Sequence, residues 1–454
     1  MEKPTAYLPI DRRLALAEGR ELPEWADGTV LVADISGFTP LTEMLAQTLG
    51  DKRGAEALTD YLNEVYDGLI AELYGWGGVV LGFSGDAITC WFAGDDGLRA
   101  AAAALAMQGV MGRFANVGEG VELAMKAALV RGPVRRFVVG DASYLLLDVM
   151  AGRTLDLLSQ VEHMAVKGEV VVGEKTAVSL SPHLTISQWR VDEESGERVA
   201  VVTGLVTTPP LSPWPTEKAL TEEQVRPWIL TAVYPLLQMG QGVFLAELRQ
   251  TAALFLRFGG IDYDHDEAAP QKLDSFIRQV EKILQQYGGS LLQLTLGDKG
   301  SYLYASFGAP LAHEDDVARA ALAALALQTL PQKLSFLPPL QIGLTYGRSR
   351  VGAYGSRQRR TYGVLGDGVN LAARLMQAAQ PGQILANEVA YGQATAAFVW
   401  EQLPAIRVKG KRDLIAVYQL LRQRQRQVGQ TLEARFTQPM VGRSLLLTTL
   451  LGKL

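Results

Sequence analysis

The hydrophobic positions of this chain fall into one pattern that occurs twice. Val30–Ala33 is a short apolar β run, and Pro40–Leu73 carries a helical period with Glu43, Asp51 and Glu56 facing outward. Gly77-Gly78 closes that helix, and Val79–Phe83 and Ala87–Phe92 read as hairpin strands joined at Ser84-Gly85-Asp86. An Ala-rich helix, LRAAAAALAMQ (Leu98–Gln108), and a strand, LAMKAALVRG (Leu123–Gly132), complete the set. The same order then returns. LFLRFGGIDYDHDEAAP (Leu254–Pro270) answers LVADISGFTPLTEMLAQ (Leu31–Gln47), and QYGGSLLQLTLGDKGSYLYASFG (Gln286–Gly308) answers YGWGGVVLGFSGDAITCWFAG (Tyr74–Gly94). VARAALAALALQ (Val317–Gln328) and LQIGLTYGR (Leu340–Arg348) follow in turn. Matching order and spacing predict two copies of one domain, 29–206 and 250–420. Each copy reads β-α-β-β-α-β with extra strands after it, a ferredoxin-like split arrangement, so the predicted fold class is α+β.

Around the copies lie an N-terminal segment, 1–28, and a linker, 207–249. The linker holds four prolines in TTPPLSPWPTEKALTEEQ and leads into a short helical piece, Val225–Met239. In 421–454, RQRQRQVGQ reads as a polar connector, and QPMVGRSLLLTTLLGKL is expected to be the stub of a following domain. With 454 residues, 48% hydrophobic and 20% charged, the chain is globular, and widespread disorder is excluded. A net charge of −5 from scattered residues gives no pull toward nucleic acid or acidic lipid. One cysteine, Cys90, excludes a disulfide framework and reads as core. No apolar run reaches the ~18 residues of a membrane span. MEKPTAYLPIDRR lacks a signal-peptide core. The expectation is a cytoplasmic protein.

Asp34 closes the first apolar strand and is followed by Ser-Gly-Phe-Thr. Gly37 permits close backbone approach, and the amides of Phe38 and Thr39 open a helix whose free N–H groups can hold a phosphate. Asp86 sits at the hairpin tip. In the split β-α-β-β order the two strands are neighbours, so both carboxylates can meet at one sheet edge. Two carboxylates beside a phosphate cradle suit two Mg²⁺ ions, which take a few carboxylates plus substrate oxygens. Taken singly, Asp86 reads as a turn residue and Asp34 as a cap; the combination with SGFT points to chemistry. The copies also differ in a complementary way. Where the first has Asp34 the second has Arg257, and Lys126 corresponds to Gln341. Where the second has Asn370 and Arg374, the first has Asp156 and Gln160. One complete site and one degenerate site follow.

DISGFTPLTE, GFSGDAITCWF and VLGDGVNLAARLMQAAQPGQI closely resemble the class III nucleotidyl cyclases. The tandem arrangement, the GDKG of the second copy and RVKGKRDLIAVYQL resemble the soluble adenylyl cyclase branch, from 29 to 420. The resemblance implies one active site between two domains of a single chain, a pseudo-heterodimer complete as a monomer. It implies ATP as substrate, cyclic AMP and pyrophosphate as products, and two divalent ions, Mg²⁺ with Mn²⁺ able to substitute. It puts metal ligation on Asp34, Asp86 and the Ile35 carbonyl, and adds Lys126 to the phosphate cradle. Asn370 and Arg374 match the residues that orient the ribose and stabilise the transition state. They are four apart and so share a helix face; without the motif they read as a cap and a surface arginine. VGRSLLLTTLL resembles the entry to the ATPase-type region that follows the cyclase pair in that branch.

Departures from the pattern bear on substrate and regulation. Adenylyl cyclases usually read adenine with a Lys after the GG turn and with an Asp or Thr before the VxG motif; here these are Gln293 and Gly363, followed by Val364. Gln can donate and accept, whereas Gly363 offers only backbone. ATP is favoured over GTP, because guanine readers typically place a Glu where Gln293 stands. A guanylyl or base-promiscuous cyclase is the first alternative, and a catalytically weak nucleotide sensor the second. Bicarbonate-responsive members place a Lys and an Arg where this chain has Gly82 and Ser159, so no stimulation by that route is expected. His313–Asp316 reads as an acidic helix start and Asp262–Glu267 as a solvated loop without calcium-loop spacing. Arg357, Arg359 and Arg360 read either as phosphate contacts or as a solvated hairpin tip.

Overall fold

Two eight-stranded mixed sheets of identical topology form the computed structural model, which describes residues 3–115, 117, 120–240, 247–297, 300–408 and 414–424. Before the first sheet comes α1 (Ile10–Glu18). The first unit then runs β1 (Trp25–Ser36), α2 (Phe38–Leu49), α3 (Asp51–Gly75), β2 (Val79–Ser84), β3 (Ala87–Ala93) and α4 (Leu98–Met111). It continues with β4 (Ala124–Asp141), β5 (Leu145–Ala151), α5 (Arg153–His163), β6 (Val170–Gly173), α6 (Glu174–Ser179), β7 (Leu184–Val191) and β8 (Arg198–Leu205). The linker carries α7 (Glu222–Val225) and α8 (Tyr234–Gln238). The second unit runs β9 (Glu247–Phe258), α9 (Ala269–Tyr287), β10 (Ser290–Thr295), β11 (Ser301–Phe307), α10 (Asp316–Leu327) and α11 (Leu330–Lys333). Then come β12 (Gln341–Gly355), β13 (Arg360–Leu365), α12 (Asp367–Ala378), β14 (Ile384–Asn387), α13 (Glu388–Ala394), β15 (Phe398–Ile406) and β16 (Ile415–Gln423). The fold is α+β, as expected.

Strand order is β2-β3-β1-β4-β6-β8-β7 in one sheet and β10-β11-β9-β12-β14-β16-β15 in the other, with β5 and β13 paired to β4 and β12. The ladders set the two halves in register. Asp34 lies opposite Lys126 and Ala87, and Arg257 lies opposite Gln341 and Tyr302. The residue-for-residue correspondence read from the repeat therefore holds in space.

Local differences have local causes. The apolar run Val30–Ala33 is the centre of a longer strand, because β1 pairs along both sides from Gly28 to Asp34. The continuous helix expected over Pro40–Leu73 is two helices, divided at Gly50, whose φ of 77° breaks the right-handed path. The helical piece at Val225–Met239 is likewise broken, with Pro227 and Pro235 each opening a new short turn. Helix α9 buries Leu273, Phe276, Ile277, Val280 and Leu284 on one stripe.

What joins the units is an exchange of hairpins. Tyr354 and Leu365, from β12 and β13, pack in the core of the first unit, where Tyr354 meets Phe83 at 5.6 Å and Tyr66 at 6.2 Å. Phe137, Val139 and Ala151, from β4 and β5, pack reciprocally in the core of the second. The N-terminal segment and linker add a further core at the seam, including Leu8, Ile229, Val233, Ala353 and Tyr362.

Candidate active site

Strand β1 delivers Asp34 to the sheet edge, and the β2–β3 turn delivers Asp86 beside it. The Ile35 N–H donates to the Asp86 carbonyl at 3.3 Å, which ties the two strand ends together. Gly37, at φ 108°, is required here: a Cβ would lie 2.2 Å from the Glu122 carbonyl oxygen. It precedes the first turn of α2, where the Phe38 and Thr39 amides lie ahead of the first intrahelical bond, donated by Leu41 to Gly37. The Thr39 side chain lies outside the described set.

Both carboxylates of the pair are shifted upward in pKa. Burial raises the Asp34 pKa, Lys126 opposes it, and the net shift is upward. Asp86 is open to the cleft, yet desolvation by the cleft walls and then the Asp34 charge push it up to about 6. Two converging carboxylates that resist joint ionisation form an oxygen donor set suited to a hard divalent ion. The residues present fit Mg²⁺ or Mn²⁺ on that ground.

Lys126 lies 3.5 Å from Asp34 and also pairs with Glu162 of α5. Burial pulls its ammonium down, but these carboxylates outweigh that and leave its pKa raised. Glu162 feels burial upward, yet His163 and Lys126 draw it down to about 2. Glu162 was not among the residues singled out from the sequence. Its only sequence signal is its place one turn beyond Leu158 on the inward stripe of α5, which also buries Val161.

A cleft of about 590 Å³ lies between the units, lined by Asp34, Asp86 and Glu162 from one and by Gln293, Thr361 and Gln377 from the other. Gln293 Nε2 donates to Ser84 Oγ and to Thr295 Oγ1, both at 2.8 Å, so a residue of the second unit touches the hairpin that carries Asp86. Asn370 is exposed and Arg374 half-buried on α12, on the face that also carries the cleft-lining Ala373 and Gln377. Among the described residues, neither is bonded to Asp34 or Asp86.

Gly363 and Val364 are buried in β13 and lie outside the cleft lining. A side chain at Gly363 is barred, because its Cβ would meet Tyr354 Cε1 at 2.7 Å. Gly82 and Ser159 line the cleft and bring no charge. At the equivalent edge of the second unit, Arg257 stands where Asp34 stands in the first. Its guanidinium packs on Gly300, where a Cβ would lie 2.4 Å from Nε. Asp298 and Lys299 of the GDKG turn, and 409–413 of the RVKGKRDLIAVYQL stretch, lie outside the described residues. The three arginines divide. Arg357 is exposed beside Asp67, whereas Arg359 is only 6% exposed and bonds backbone carbonyls, which overturns both readings offered for it. No group of three or more His, Cys, Asp or Glu side chains with metal-site geometry occurs among the described residues.

Residues 258–422 match the family described as adenylate and guanylate cyclase catalytic domain. The second unit is therefore similar to a cyclase catalytic domain. Over most of its length the chain is related to adenylate cyclase type 10. It is 24% identical to the Homo sapiens protein over 438 residues, 88% of this chain, and 24% identical to the Rattus norvegicus protein over 444 residues, 87% of it. The chain spans about a quarter of those relatives, 27% and 26% of their lengths. Among solved structures, a class III adenylyl cyclase-like ATP-binding protein from Pseudomonas aeruginosa matches with a TM-score of 0.53 at 13% identity. That match covers 85% of this chain and 93% of the other, so the tandem fold is shared across both units. No helix among the described residues is long and apolar enough to cross a membrane.

Proposed function

We propose that this chain is an adenylyl cyclase: the ATP 3′-oxygen bonds to the α-phosphorus, the bond to the β-phosphate oxygen breaks, and cyclic AMP and pyrophosphate result. The observation that carries the reading is the Gln293–Ser84 hydrogen bond, which brings a base-reading position of one unit against the acidic hairpin of the other. Divalent ions held by Asp34, Asp86 and the Ile35 carbonyl would supply Lewis acidity at the phosphates and the attacking oxygen. Lys126 and the first-turn amides of α2 take the triphosphate. Arg374 neutralises charge developing on the α-phosphate, and Asn370 orients the ribose. No side chain stands apart as a dedicated base, and the Asp34 carboxylate is the acceptor at hand for the 3′-hydroxyl proton. With its NH₂ engaged by Ser84 and Thr295, Gln293 has its Oε1 left to accept from the 6-amino group of adenine. Guanine offers an acceptor at that position, which supports ATP over GTP.

The test is turnover of ATP and GTP with Mg²⁺ or Mn²⁺. The wild type is expected to form more cyclic AMP than cyclic GMP, and Asp34→Ala to form neither. Arg374→Ala should lower kcat by roughly a hundredfold or more with an unchanged circular dichroism spectrum. No cyclic nucleotide under any condition would overturn the enzyme reading; nucleotide binding without turnover would instead favour a sensor, the description "ATP-binding" being that of the Pseudomonas aeruginosa protein.

A further inference from the structure

Strand β2 is the edge of its sheet, and it is bulged. Val80 faces Cys90 and Gly82 faces Thr89, so Leu81 is the extra residue. A bulge at an edge leaves backbone carbonyls without ladder partners, and such groups need donors when buried. The donors come from the other unit. Arg359, in the turn between β12 and β13, gives Nε to the Val80 carbonyl at 3.0 Å and Nη2 to the Leu81 carbonyl at 2.9 Å. Its Nη1 reaches the Tyr7 carbonyl at 2.8 Å and the Arg360 carbonyl at 2.6 Å. The guanidinium also lies 5.6 Å from the centre of the Phe83 ring. Burial lowers its pKa to about 10, which leaves it charged at neutral pH.

The pseudo-symmetric contact makes fewer bonds and carries no charge. At the matching place in the turn between β4 and β5 stands Tyr144, an uncharged side chain whose hydroxyl donates to the Gly289 carbonyl beside β10 at 2.9 Å and accepts from the Leu291 amide. Strand β10 is also a bulged edge, with a register shift between Leu291 and Gln293. The charged clamp thus falls on the strand that leads through Phe83 and Ser84 to Asp86. The uncharged one falls on the strand whose sheet carries Arg257 in place of Asp34.

We propose that Arg359 is a positioning residue for the acidic pair: by bonding Val80 and Leu81 across the seam it fixes the bulged strand and the turn bearing Asp86, so metal affinity depends on the pairing of the two units. The inference rests on the reading of Asp34 and Asp86 as metal ligands. A planar guanidinium can serve three chain segments at once, which an ammonium or a thioether cannot.

The experiment follows Mn²⁺ binding by electron paramagnetic resonance in the presence of 3′-deoxy-ATP, which cannot cyclise, alongside hydrogen exchange of amides 82–87. Arg359→Met is expected to weaken Mn²⁺ binding about tenfold or more and to speed that exchange, with Arg359→Lys intermediate. Tyr144→Phe should change neither. Should the Met variant fail to fold, the Lys variant decides. A folded Arg359 variant that binds Mn²⁺ within about twofold of wild type overturns the proposal, as does equal weakening by Tyr144→Phe, which would assign the effect to domain pairing in general. Wild type that binds no Mn²⁺ would overturn the metal reading itself, a different failure.

Discussion

Asp34 and Arg257 occupy one ladder position in the two sheets, so the matching sheet edges carry side chains of opposite charge. Another single residue sets a pH dependence at the seam. Glu281 of α9 is 2% exposed; its Oε2 accepts the Asp141 N–H at 2.8 Å, and its Oε1 is buried without a partner. Burial pushes its pKa up to about 8 from 4.5, and the neighbouring Asp141 and Asp274 push the same way against Arg278. The folded chain therefore keeps a proton that the unfolded chain has lost near neutrality. Stability from this group is complete below about pH 4.5 and is lost as pH rises through about 8. The thermal midpoint of wild type should fall relative to Glu281→Gln between about pH 5 and pH 9. Parallel profiles would show that Glu281 is ionised in the folded state.

At the scale of elements, the β4–β5 and β12–β13 hairpins each lend side chains to the other unit's core. Tyr354 is 4% exposed against Phe83 and Tyr66 of the first unit. Truncation to Ala should cost about 3–5 kcal/mol in equilibrium urea unfolding, as for other large buried side chains. A loss below about 1 kcal/mol would mean that the exchanged hairpin contributes little to pairing. The same ring bars a side chain at Gly363, so packing alone accounts for the glycine there. Periodicity made several elements legible: the hairpin at 79–92 and the Ala-rich helices are evident from spacing, whereas α12 enters only with the resemblance. It did not reveal the division at Gly50, because apolar residues continue in helical register on both sides of it.

Across the whole molecule, the N-terminal segment is a structural strap. Asp11, Arg12 and Arg13 of α1 are all buried. Arg12 and Arg136 both pair with Asp148 of β5, Arg136 also pairs with Asp11, and Arg13 pairs with Glu217 of the linker. Arg136 and Arg12 together hold the Asp148 carboxyl below its ordinary range despite the upward pull of burial. Asp148→Ala leaves two buried guanidiniums short of a partner and should destabilise by about 3–5 kcal/mol in chemical denaturation. An unchanged midpoint would show that the network is solvated. From sequence alone, residues 1–28 read only as a segment ahead of a domain, since charged residues there carry no sign of burial until their partners, more than a hundred positions away, are known.

Spacing and composition by themselves determined that the chain is a repeat, that its units are α+β, and that Asp34 and Asp86 are residues of interest, whereas Gln293, Asn370 and Arg374 stand out only through the resemblance. These are properties of order along the chain, and they survive translation into one dimension. Tertiary structure alone decided that Glu162 holds Lys126 beside Asp34, that Gln293 reaches Ser84, and that Gly363 is walled off by Tyr354. It also decided that Arg359 is a buried clamp on the strand leading to Asp86. The Gln293 and Arg359 contacts depend on which edge strand the partner unit covers, between residues 209 and 279 positions apart that local pattern does not encode.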